Sequence, residues 1–242
     1  MTLPTGPTVN TVESMTPDRI RAILYGLPGA GKTTLAAGWF PATNLILECD
    51  PGGTRFLPGS HFVQPCPTYV SFTQAVTSLV TEDHPYTTVT IDTGDSLFRA
   101  ADNEAGQRHG KIAAGLVDFG KGTEDRDATI LRDLKRLLAT DMGVIMCAHP
   151  EIVETKVGDK TITSIGPRIV RKAKNDIRQE IVGLFDYELY VRKSDHQIVT
   201  GGDASVDTKR RVLLPDVLPA DAGALYQALS AGIAAAAAPV AV

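Results

Sequence analysis

Long apolar runs are missing from this chain, and "MTLPTGPTVNTVESMTPDR" at its start lacks the basic, apolar, small-residue order of a secretory signal. A soluble, cytoplasmic protein with no membrane partner is therefore expected. Cysteine is scarce: Cys49, Cys66 and Cys147 are odd in number, far apart and free of any C-x-x-C spacing. That argues against a disulfide framework and against a thiolate zinc site, and it suits a reducing compartment. Positive charge is not in excess either, since 24 Lys and Arg face 28 Asp and Glu for a net charge of -4. A uniformly basic nucleic-acid coat is excluded, although a local basic groove is not. No internal repeat, no N-K-x-D guanine reader, no ABC-type signature and no arginine-rich lid of the nucleotide-kinase kind is found. What the 242 residues do have is 43% hydrophobic content, enough to bury a sizeable core in one large domain.

Residues 1–18 are rich in Thr and Pro without periodicity and read as a loose arm. From 19 to 231 apolar, β-branched runs alternate with segments of helical spacing. "RIRAILYG", "NLILECD", "HFVQP", "YTTVTIDT" and "GVIMCAHP" read as strands, and "KTTLAAGWF", "SFTQAVTSLVTE", "DSLFRAADNEAGQRHG" and "EDRDATILRDLKRLLAT" as helices. "KIAAGLVDFGKGT" is too long for a simple connector. Then come a hairpin over "EIVETKVGDKTITSIG", a helix over "PRIVRKAKNDIRQEIVGLF", a second hairpin over "DYELYVRKSDHQIVTGG", a last strand over "KRRVLL" and a closing helix over "PADAGALYQALSAG". Alternation of this kind predicts a mostly parallel sheet with helices on both faces and antiparallel hairpins toward the C-terminus. The alanine-rich residues 232–242 read as a frayed tail.

"YGLPGAGKTTL" contains Gly26, Pro28, Gly29, Ala30, Gly31, Lys32, Thr33 and Thr34 in the order G-x-x-x-x-G-K-[ST], between a predicted strand and a predicted helix. The glycines let successive N–H groups turn inward into an anion nest, with Lys32 as a mobile point charge for the terminal phosphates and the Thr33 hydroxyl for Mg²⁺. "TVTIDT" ends a strand in Asp92, placing a carboxylate where the metal's water shell would need one. In "LILECDPGG", Glu48 and Asp50 share one face of a strand. Either could orient the attacking water, Asp50 first because it lies nearer the strand's end, or both could cap the turn at Pro51–Gly53. His149, at the end of "VIMCAH", is either a contact for the γ-phosphate or a hydrogen-bonded strand terminus.

The order of "GLPGAGKTT", "LECDPGG", "VTIDT", "DFGKG", "MGVIMCAHPEIVE" and "DTKRRVLLP" resembles the RecA-like P-loop ATPases, in particular the short, core-only versions carried by bacteriophages, some of which are single-strand annealing or recombination proteins. The resemblance runs from about Arg19 to Leu229 and implies ATP and Mg²⁺ as cofactors, with Lys32, Thr33 and Asp92 binding them and Asp50 where the family usually has a catalytic glutamate. It also implies self-association into a ring or filament, with Lys209 and Arg211 in "DTKRR" reaching a neighbouring subunit's γ-phosphate, although Arg210 stands where an acid is usual. A bacterial host's cytoplasm and a single-strand binding or replication protein as partner belong to the same implication. For single-stranded DNA, the expected contacts are Phe119 and Lys121 in the glycine-bearing loop, and Arg168, Arg171, Lys172 and Lys174 with Arg178 in "RIVRKAKNDIR". Packing of Phe119 into its loop and a solvated basic helix face are the plain alternatives. A nucleotide-gated module with little turnover, such as a helicase loader, is the competing functional class.

Overall fold

The computed structural model describes residues 15–157, 160–169 and 177–238. Ten strands and six helices run through them in the order β1 (Arg21–Tyr25), α1 (Lys32–Ala37), β2 (Asn44–Glu48), β3 (Phe62–Pro65), α2 (Tyr69–Thr81), β4 (Thr88–Asp92), α3 (Gly94–Arg108) and α4 (Lys121–Leu138). Next come β5 (Gly143–Ala148), β6 (Pro150–Val157), β7 (Lys160–Pro167), α5 (Ile177–Leu184), β8 (Tyr187–Arg192), β9 (Gln197–Val199), β10 (Val217–Pro219) and α6 (Ala222–Ala237). One eight-stranded sheet has the order β10-β9-β8-β1-β5-β4-β2-β3, and β6 pairs with β7 as a separate hairpin. Strands β8, β1, β5, β4, β2 and β3 are parallel, while β9 and β10 continue the sheet antiparallel.

The two-residue period of each central strand divides the core in two. Ile23 and Tyr25 of β1 join Val144 and Met146 of β5 under α2, α3, α4 and α5, whereas Ala22, Leu24, Ile145 and Cys147 face α1, Trp39 and α6. Both faces are covered, as a buried parallel sheet requires. Asn44 ties the layers together: its side-chain amide donates to the Ala36 carbonyl of α1 at 2.8 Å and its oxygen accepts from Thr90 at 3.1 Å. All three cysteines are buried and unpaired in disulfides.

Three expectations need correction. Helix α2 begins at Tyr69, two residues before the expected Ser71, because Thr68 caps it and accepts from Ser71 N at 3.2 Å. Residues 209–214 form no strand. Their alternation of buried Val212 and Leu214 with exposed Leu213 arises from packing on α6, where a Cβ on Gly232 would lie 2.6 Å from the Leu213 carbonyl. The last strand is β10. Helix α6 also continues through the alanines to Ala237, in keeping with alanine's leading helix propensity, so residues 232–237 are not tail-like. The arm at 1–18 falls largely outside the described residues, as does much of the expected helix around Arg171. Among the described residues no helix is long and apolar enough to cross a membrane.

Behind the end of β1 lies a buried polar network. The Tyr25 hydroxyl donates to the carbonyls of Ile165 (3.0 Å) and Asp207. Arg178 pairs with Asp207 at 2.9 Å and approaches Glu188 at 3.6 Å, and Ser164 donates to Asp207 at 2.6 Å. Burial, reinforced by Asp207, raises the Glu188 carboxyl from its ordinary 4.5 to about 7, with Arg178 and Lys209 opposing the rise. This network fastens the first strand to the β6–β7 hairpin and to the chain before β10.

Candidate nucleotide site

Parallel strands end on one edge of the sheet, and there the turns after β1, β2, β4 and β5 converge. After Tyr25 the backbone turns through Gly29 and Gly31 at φ of 74° and 95°, values that only glycine adopts without strain. Ala30 N donates to Leu27 O at 3.1 Å, closing the loop on itself, and Lys32 then opens α1. That helix has only six residues, so the loop amides and Lys32, rather than a macrodipole, carry the attraction for an anion.

Lys32 is buried, and its Nζ donates to the carbonyls of Gly26 (2.8 Å) and Leu27 (3.1 Å). Burial lowers its pKa, with Cys147, Asp92 and Asp95 opposing the shift. Thr33 Oγ1 donates to Asp92 Oδ1 at 3.2 Å, so the two residues expected to share a metal ion do meet. Asp92 is 1% exposed. Burial lifts its carboxyl from 3.8 to about 6, against the pull of Thr33 and Lys32 and helped by Asp50 and Glu48. Thr34 turns the other way, toward a second hollow lined by Leu57, Pro58 and His61.

The two carboxylates after β2 part company. Glu48 accepts from the Thr54 amide at 3.1 Å and hydroxyl at 2.6 Å, holding the Pro51–Thr54 turn. Asp50 is exposed and lines a cleft of about 320 Å³ with Leu27, Pro28, Ser96, Arg99, His149 and Arg168. His149, at the mouth of β5, places Nδ1 3.0 Å from Asp95 Oδ2, and its backbone N donates to Asp95 Oδ1 at 3.3 Å. Asp95 thus fixes the ring and directs Nε2 away from α3. Sequence reasoning missed Asp95. Its only sign was an acid three residues after Asp92, and its meaning depends on β4 and β5 being neighbours. Arg99, one turn further along α3, was missed for the same reason.

Lys209 and Arg211 lie elsewhere in this chain. Lys209 Nζ caps α5, donating to the carbonyls of Val182 (3.1 Å), Gly183 (3.3 Å) and Phe185, and Arg211 Nε sits 3.4 Å from Asp186 Oδ1. Neither lines the cleft. Phe119 is 95% exposed at φ 58°, so it is not packed into its loop, and Lys121 beside it is exposed. Two close approaches clamp that loop: a Cβ on Gly106 would lie 2.5 Å from the Ala113 backbone, and one on Gly122 2.5 Å from the Ala114 carbonyl. Arg168 is exposed next to His149, its N donating to His149 O at 2.7 Å. Arg178 belongs to the buried network behind β1 and is not part of a solvated basic face. Arg171, Lys172 and Lys174 lie outside the described residues.

A glycine loop that meets a strand-end carboxylate at the carboxyl edge of a mostly parallel α/β sheet defines a P-loop nucleotide-binding protein. Residues 18–216 match the family described as "AAA domain", and the chain belongs to that family. No curated protein matches the sequence. A solved structure described as "Crystal structure of the RadB recombinase" is similar over 76% of this chain and 80% of that one, at 12% identity and a TM-score of 0.40. That overlap is too loose to inform the site.

Proposed function

We propose that the protein binds ATP with Mg²⁺ in the Gly26–Thr34 loop, hydrolyses it slowly, and acts on single-stranded DNA in recombination or annealing, its grip set by nucleotide state. The observation that carries the nucleotide half is the 3.2 Å hydrogen bond between Thr33 and Asp92 beside a loop whose lysine is already turned inward. The donors suit magnesium held jointly by protein and phosphates. Among the described residues no cluster of three or more His, Cys, Asp or Glu could hold a metal alone, and one hydroxyl plus one carboxylate leaves most positions to water and phosphate oxygens. When bound, the ion would neutralise charge on the phosphates. Thr33 and Asp92 would hold it and its water, Lys32 would bind the terminal phosphates, and Asp50 would orient the attacking water. His149, steadied by Asp95, would respond to the γ-phosphate and pass the change directly to β6 through Pro150.

The DNA half is supported by the exposed ring of Phe119 with Lys121 beside it and by exposed Arg168, a stacking surface and cations of the kind single strands use. Self-association, with Lys209 and Arg211 acting on a neighbour's nucleotide, would require Lys209 to leave the carbonyls of α5. An alternative reading, a nucleotide-gated module that docks a replication protein, is favoured by the outward-facing Ile152 and Ile162 of the hairpin. ATP hydrolysis measured with and without single-stranded DNA, on wild type and Lys32→Ala, with oligomeric state followed in parallel, separates the two. Stimulated turnover lost in the variant supports the first reading. Tight nucleotide binding with negligible turnover and no DNA retention supports the second, and equal turnover in both proteins removes the site assignment.

A further inference from the structure

A second cation stands over the phosphate loop, delivered by a distant part of the chain. Strand β8 runs parallel to β1 with Tyr190 opposite Tyr25, so both strands leave the sheet at the same edge. Gly26 follows one, and Arg192 ends the other with Lys193 just beyond it. The register brings the Lys193 side chain back over the loop: a Cβ built on Gly29 would lie 3.4 Å from Lys193 Nζ and 3.7 Å from its Cε. Gly29 has one of the two left-handed backbones that form the anion nest.

The charges around Lys193 are arranged to leave it uncommitted. The acid of its own turn, Asp195, is taken by Arg192, whose Nη2 lies 2.7 Å from Asp195 Oδ2 and which also reaches Gln197 at 2.7 Å. His196 closes the turn at φ 50°. Lys193 itself is exposed, and among the described residues it has no carboxylate or carbonyl partner. An ammonium held close to the glycine loop, with the acid of its own turn occupied, is placed for an anion rather than for an internal ion pair. Lys32 Nζ donates to the Gly26 and Leu27 carbonyls of the same loop, so both lysines would serve one phosphate tail.

Building on the nucleotide reading above, we infer that Lys193 is a phosphate-binding residue acting in cis, which contacts the phosphates of a nucleoside di- or triphosphate cradled by the Gly26–Thr34 loop. Calorimetric titration of the full chain with ADP and with a non-hydrolysable ATP analogue tests this on wild type, Lys193→Ala, Lys193→Arg and Lys32→Ala. Both dissociation constants should rise about tenfold in Lys193→Ala, the loss of one charge-assisted contact. Lys193→Arg should stay within about threefold of wild type because the charge is kept. The melting temperature of Lys193→Ala without nucleotide should match wild type, since the side chain has no partner to lose. Wild-type affinity should also fall more steeply with salt than that of Lys193→Ala. Unchanged affinities in Lys193→Ala, alongside weakened binding in Lys32→Ala, would overturn the assignment and leave the nucleotide site standing. If Lys193→Ala loses retention on single-stranded DNA while both nucleotide affinities hold, the cation belongs to a nucleic-acid phosphate and the inference is wrong. No binding of either nucleotide by wild type would remove the site and the inference together.

Discussion

Within the candidate nucleotide site the hydrogen-bonded residues beneath the glycine loop, its floor, and the exposed residues around them, its rim, are built on opposite principles. On the floor Lys32, Thr33, Asp92 and Asp95 are each hydrogen-bonded to a neighbour, and Lys32, Asp92 and Asp95 are buried. Around the rim Asp50, Arg99, Arg168 and Lys193 are exposed, and no ion pair joins them to one another among the described residues. Groups that hold a phosphate throughout a cycle gain from being fixed beforehand, because no reorganisation accompanies binding. Groups that respond to a changing partner must be able to move. Buried ionisable groups are costly to keep charged, and the raised Asp92 carboxyl shows that cost on the floor. The rim carries no such burden.

If that division is right, floor substitutions should abolish chemistry and rim substitutions should redistribute affinity. The largest effect is expected for Lys32→Ala, which should lower kcat/KM for ATP by about 10²–10³ in a steady-state hydrolysis assay. Asp50 and Glu48 offer a sharper contrast within two residues of each other. Asp50→Asn should reduce kcat by about 10² without lowering the melting temperature. Glu48→Gln should leave kcat within a few-fold and cost about 1 kcal/mol in denaturant unfolding, because its charged acceptor for Thr54 is weakened. The reverse pattern would transfer the water-orienting role to Glu48.

Behind the floor, Glu188→Gln probes the same cost of buried charge through pH. Its carboxyl is raised in the folded protein, so its contribution to stability is full below about 4.5 and is lost as pH rises through about 7. At about 1.4 kcal/mol per unit the loss is on the order of 3 kcal/mol. Glutamine, which cannot ionise, should therefore raise stability at pH 8 and leave it nearly unchanged at pH 4, as read by melting temperature. A variant equally stable with wild type at both values would show that Arg178 fully compensates the charge. The smallest change in the fold belongs to the exposed loop before α4: Phe119→Ala should leave melting unaltered while weakening retention on single-stranded DNA by about tenfold, the worth of one stacked base. Undiminished retention would take the ring out of the DNA surface.

Legibility in the sequence followed contiguity. The phosphate loop and Asp92 each occupy a short string whose chemistry fixes its place at a strand end, so both were readable, and their meeting at 3.2 Å follows from the sheet they imply. The alternating strands and helices were readable because parallel strands are apolar on both faces. Asp95 and Lys193 were not. Asp95 acts on a residue 54 positions away, and Lys193 reaches Gly29 only because β8 pairs with β1. Residues 209–214 misled in the opposite sense: alternation of apolar side chains reports burial on one side, and a helix surface can impose it as well as a ladder can. Glu48 shows the same ambiguity at one residue, since a carboxylate near a turn serves equally well as a cap.

The tight seating of Gly106 and Gly122 against residues 113 and 114 has a consequence for whatever meets Phe119. An aromatic on a slack loop must be immobilised at the moment of encounter, and the entropy lost weakens the complex. Here both shoulders of the loop are wedged against helices, and the ring stands on a braced pedestal. A methyl group added at Gly122 would meet the Ala114 carbonyl and the Val117 side chain, and so tilt the pedestal and misdirect the ring without touching it.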